Sequence, residues 1–146
     1  MSYPNYKSRN PNHQKKGNND GCKDIKDLSF KNEWITSGVD DDAIKFAESM
    51  GKCLGKTDVS SSQLRNIYGE IVRIKMKGYT NEKNAFILLK PKVAYNYGRL
   101  KKPGFKIFKD KFFDKAHDLV EDDNTFKNFV NLFEAILAYH KVYGKR

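Results

Sequence analysis

Long apolar runs are missing from this 146-residue chain: nothing in it approaches the roughly 18 consecutive apolar residues that a membrane span needs. The opening MSYPNYKSRNPNHQKK also lacks the apolar stretch of a signal peptide, so the sequence reads as a cytoplasmic protein without membrane contact. Cysteine is scarce. Cys22 and Cys53 lie in different kinds of segment and match neither a disulfide framework nor a zinc spacing, which predicts two free thiols. No histidine has a second one three or four residues away, and GKCLGKTD, with its two Gly-Lys pairs, does not have Walker A spacing. No metal, cofactor or ATP site is therefore expected. Acidic residues are the minority, 18 against 28 lysines and arginines, and the resulting +10 points to a polyanionic partner, nucleic acid first. The length suits one compact domain and argues against a two-domain enzyme.

What is present is enough for a core: 38% hydrophobic and 13% aromatic residues. They are unevenly placed. Residues 1–32 are rich in Asn, Lys, Gly, Asp and Ser and predict a mobile polar tail, leaving 33–146 as a single helical-bundle domain. From Trp34 onward apolar residues recur at spacings of three and four, with breakers every 15 to 20 residues, which predicts an all-α, compact bundle of about five helices.

The first predicted helix starts near Asp40, buries Ala43, Phe46, Ala47, Met50 and Leu54, and ends at Gly55. The second starts at Ser60, where Gln63 completes a capping box and Val59 and Leu64 form a staple, and it stops at Gly78. The third runs from about Thr80 to Arg99 with a kink at Pro91, closed by Gly98 and Pro103. The fourth, near Pro103 to Val120, buries Phe105, Phe108, Phe112, Ala116 and Leu119. The fifth is capped by Asp122 or Asp123 and carries Phe126, Phe129, Val130, Phe133, Ile136, Leu137 and His140. So broad an apolar arc predicts a central helix or one shared with a partner.

The positive charge is localised. Residues 56–109 hold thirteen basic and three acidic side chains, a surplus of ten, while the rest of the chain sums to zero. On the second helix Arg65, Gly69, Arg73 and Lys77 face away from the apolar stripe, with Gly69 leaving the middle of that face low. On the third, Lys92, Tyr95, Asn96 and Arg99 follow i, i+3, i+4, i+7 spacing, and Lys101 and Lys102 come directly after. Two cations around one aromatic ring suit phosphates with a base or sugar on Tyr95. A small basic ribonuclease using His117 or His140 as general acid or base remains an alternative, as does a helical nucleic-acid-binding protein of another system. The ribonuclease has no nucleophile, carboxylate cluster or second histidine behind it, and Asp40, Asp41 and Asp42 fit a helix start better than a magnesium site.

Three segments taken in order, SSSQLRNIYGEIVRI, FILLKPKVAYNYGR and FKNFVNLFEAILAYHKVYG, resemble the small subunit of type III-A CRISPR (Csm) effector complexes over about residues 59–144. The resemblance implies a small, all-helical, non-catalytic subunit for antiviral defence. Several copies would stack beside a filament of backbone subunits, holding guide RNA and paired target RNA, with cleavage left to the backbone and large subunits. Matched by motif, the basic positions it implies are Arg65, Lys90, Lys92, Arg99 and Lys141. Together with the positions drawn from the charge pattern, the expected RNA-binding set is Arg65, Arg73, Lys77, Lys90, Lys92, Tyr95, Arg99, Lys101, Lys102 and Lys141.

Overall fold

The computed structural model describes residues 21–144, and the described residues are helices and short connections without strands. Seven helices are present among them rather than about five. The two additional ones are single turns, α1 (Lys23–Lys26) and α2 (Glu33–Thr36), followed by α3 (Asp41–Lys56) and α4 (Ser61–Lys77). A 3-10 turn (Tyr79–Glu82) leads into α5 (Lys83–Leu100). Next, α6 runs continuously through Pro103–Phe108, a π turn at Lys109–Phe113 and Asp114–Leu119, and α7 (Asp123–Tyr143) closes the chain.

The helix starts follow their side chains. Asp40 caps α3 by accepting from the Ala43 amide at 2.9 Å, which accounts for the acidic run there. Ser60 and Gln63 form the reciprocal capping box of α4, with bonds of 3.2 and 3.0 Å, and Gly78 ends that helix at φ 94°. For α7 the cap is Asp122, because Thr125 returns the bond to its amide. Pro91 does not interrupt α5; it withholds a donor from the carbonyl of Ile87, an exposed residue whose carbonyl water can satisfy. Gly98 lies within α5 as well, and the helix ends instead where Lys101 turns left-handed at φ 51°.

Gly55 does not terminate α3. It lies inside the helix, as does Gly51, and both are buried where α7 crosses. A Cβ on Gly51 would sit 2.6 Å from the His140 amide nitrogen, and one on Gly55 would sit 2.8 Å from the Gly144 nitrogen. Glycine is required there because two helix backbones approach to contact distance. This contact makes α7 central, burying Phe126, Phe129, Val130, Leu132, Phe133 and Ile136. The π turn in α6 adds one residue to a helical turn, so Phe112 and Phe113 both point inward, and Leu119, expected in the core, is only partly buried.

Part of the expected tail belongs to the fold. Residues 1–20 lie outside the described residues, but 21–32 belong to the folded body: Cys22 and Ile25 are buried, and Phe30 meets Trp34, Phe46 and Phe112 edge-on. The Lys111 ammonium caps α1 by donating to the carbonyls of Ile25 at 2.8 Å, Lys26 at 3.2 Å and Leu28 at 2.7 Å. The Asn128 amide donates to the Ile35 carbonyl at 2.8 Å and fastens α2. Nor are the thiols free: Cys22 and Cys53 are joined in a disulfide, S–S 2.03 Å, between the start of α1 and the interior of α3. Their separation in sequence concealed a Cα–Cα distance of 4.3 Å.

Candidate nucleic-acid interface

Helix α4 buries Leu64, Ile67, Ile71 and Ile74 and turns Arg65, Gly69 and Lys77 outward, with α5 on one flank and α7 on the other. The α4/α5 flank opens into a groove of about 430 Å³ walled by Asn66, Ile67 and Glu70 on one side and Pro91, Lys92, Tyr95 and Asn96 on the other. Tyr95 is 66% exposed at its rim. Arg99 lies one turn further along α5, also exposed, and Lys101 follows at the helix end. On the opposite flank Arg65 of α4 and Lys141 of α7 share a cleft of about 140 Å³ with Ser61, Tyr68 and His140. Arg65 and Lys141, drawn from separate motifs, are therefore neighbours across a helix pair.

The ten expected positions differ in how their charge is used. Among the described residues, Arg65, Lys77, Lys92, Arg99, Lys101 and Lys141 have no carboxylate within ion-pair distance. Arg73 instead pairs with Glu82 at 3.1 Å and with Glu70 at 3.6 Å, and Lys90 pairs with Asp118 at 2.6 Å. Lys102 donates to the carbonyl of Asp58 at 2.5 Å. Lys90 ties α5 to α6, Arg73 ties α4 to the 3-10 turn and Lys102 ties the α5–α6 connection to the α3–α4 connection, so these three offer a phosphate less than the six free ones do. Glu134, the acid near the α4/α7 cleft, accepts from the Tyr68 hydroxyl at 2.5 Å and pairs with Lys75 at 3.6 Å. That hydrogen bond, with burial and the carboxylate's charge adding to it, pushes the Tyr68 pKa up to about 12, so the hydroxyl stays a neutral donor. Asn66 and Ser61, which line the two openings, were not singled out from the sequence, and no pattern marks them.

The two candidate acid-base histidines are occupied. His117 Nε2 lies 2.6 Å from the Phe86 carbonyl, and its ring stacks on Phe86 at 4.2 Å with planes 9° apart. Burial lowers its pKa, an effect only partly offset by that hydrogen bond. His140 Nε2 lies 2.7 Å from the Val59 carbonyl. His13 lies outside the described residues. Among the described residues no three His, Cys, Asp or Glu side chains cluster as a metal site would, and no helix is long and apolar enough to cross a membrane.

No curated protein and no solved structure matches the chain. A family model described as Csm2 Type III-A matches residues 39–146, taking in α3 to α7 with both openings and all ten basic and aromatic positions. The chain belongs to the Csm2 Type III-A family, the small subunit of type III-A CRISPR complexes.

Proposed function

We propose that the protein is a non-catalytic RNA-binding subunit that holds the guide RNA and its paired target RNA through phosphate contacts, in several copies alongside the backbone and large subunits. The observation that carries this reading is the set of unpaired cations, Arg65, Lys92, Arg99, Lys101 and Lys141, around openings on both flanks of α4, with Tyr95 exposed among them. Such cations displace counterions from phosphates without reading bases, which suits a subunit that must accept any guide and target. Base pairing supplies the specificity. Each copy binds weakly and repetition raises the total, since the second contact along one RNA is effectively intramolecular.

The test is retention of target RNA by the assembled complex carrying Arg65→Glu and Arg99→Glu. Loss of RNA at unchanged subunit composition supports the reading, and full retention overturns it. The ribonuclease alternative has its histidines committed to backbone carbonyls. Turnover of RNA by the purified chain, abolished by His140→Ala, would establish it instead.

A further inference from the structure

Helix α5 has an outer face whose centre, Ile87 and Leu88, the RNA reading does not use, although Pro91 and Lys92 at its border also wall the α4/α5 groove. Ile87 is 59% exposed and Leu88 55%, and with Pro91 they form an aliphatic ridge. Lys83 and Lys90 run along one edge and Lys92 and Arg99 along the other. Phosphates give aliphatic side chains nothing, so the ridge calls for an apolar protein surface. Two copies of the ridge would bring like charges together, because of the cations along its edges only Lys90 is answered, by Asp118, while among the described residues Lys83, Lys92 and Arg99 have no carboxylate within ion-pair distance.

The complementary surface lies elsewhere on the same chain. At the start of α3, Val39 and Ile44 are each 38% exposed. They sit beside Asp40, Asp41 and Asp42, where Lys31 pairs with Asp42 and Lys45 follows on α3; Glu48, one turn on, accepts from Tyr143 and lines a groove with Lys45 and Lys52. An apolar centre with an acidic rim is what the α5 ridge would accept. We infer that the α5 ridge of one copy docks on the Val39–Ile44 patch of the next. This inference rests on the reading of stacked copies and says which surfaces meet. The contact is heterologous, so each copy presents one face of each kind and the row stays open at both ends.

The experiment uses the full-length, nuclease-treated chain in sedimentation up to about 1 mM, where weak contacts populate, in a buffer of about 50 mM salt that leaves surface charge poorly screened. The wild type should pass beyond dimer and return toward monomer as salt is raised. Ile87→Glu/Leu88→Glu breaks one face and Asp41→Lys/Ile44→Lys the other, so each variant alone should stay monomeric. Mixed in equal amounts they should form a one-to-one dimer and stop there, since one matched pair of faces survives. A monomeric wild type, variants that associate as the wild type does, or a mixture that stays monomeric would each overturn the assignment. RNA retention by a complex carrying Arg65→Glu alone, on α4 away from the ridge, is a separate readout, so failure here leaves the RNA reading standing.

Discussion

Helices α3 and α5 are similar in length and opposite in completion. The sixteen residues of α3 bury eight side chains or glycines, and its Gly51, Cys53 and Gly55 are each committed to another part of the molecule. The eighteen residues of α5 bury only Phe86, Leu89 and Val93, and leave Ile87, Leu88 and Tyr95 in water between cations. Burial takes up most of one helix and little of the other, and the less buried one carries four of the ten expected RNA contacts, Lys90, Lys92, Tyr95 and Arg99. Substitutions at the buried positions of α3 should therefore change melting, and those on the outside of α5 should change binding.

The comparison breaks first at Gly51. Gly51→Leu should cost more than about 4 kcal/mol or abolish soluble expression, because a side chain there meets the α7 backbone rather than a movable group. Next is the disulfide. Reducing the oxidised chain should lower stability by about 3.7 kcal/mol, as expected for opening a loop of this size, while Cys22→Ala/Cys53→Ala should melt identically with and without reductant.

A smaller effect comes from His117, which links α6 to α5. Burial holds its folded pKa below the ordinary 6.5, so the unfolded chain takes up the proton first. The stabilisation is complete above about pH 6.5 and declines as the pH falls through the folded value. Melting temperatures measured from pH 7 to 5 should therefore fall, and His117→Gln should remove that component of the slope. Smallest of all is Leu88→Ala, expected within about 0.5 kcal/mol of wild type in denaturant titration because the side chain is mostly in water. A large loss there would mean α5 is more complete than its exposure indicates.

Much of the body was legible from short-range chemistry. Ser60 with Gln63, Gly78 after Lys77 and the aromatic spacing of α6 and α7 each act within a few residues, and local pattern found them. What escaped depends on distant partners. Cys22 meets Cys53 only once the chain has turned back, and residues 21–36 look polar because their few apolar side chains, Ile25, Leu28, Phe30, Trp34 and Ile35, are spread thinly yet converge on one aromatic cluster. Gly55 follows a run of helix formers and has the look of a stop signal; its actual reason is the α7 backbone beside it. At the site, the charged block from 56 to 109 was plain, but not the sorting within it, because Glu82 neutralises Arg73 and Asp118 neutralises Lys90 from other elements.

Lys111 has a consequence for how the chain is made. The carbonyls it caps belong to residues 25–28, synthesised more than eighty positions earlier. At about 5 to 20 residues per second, that interval is roughly 4 to 17 s on the ribosome. Throughout it, α1 has no ammonium at its end and α6 does not exist to pack against. Among the described residues the first helix to be translated is thus one of the last to be fastened, and Cys22 has no disulfide partner until Cys53 has emerged.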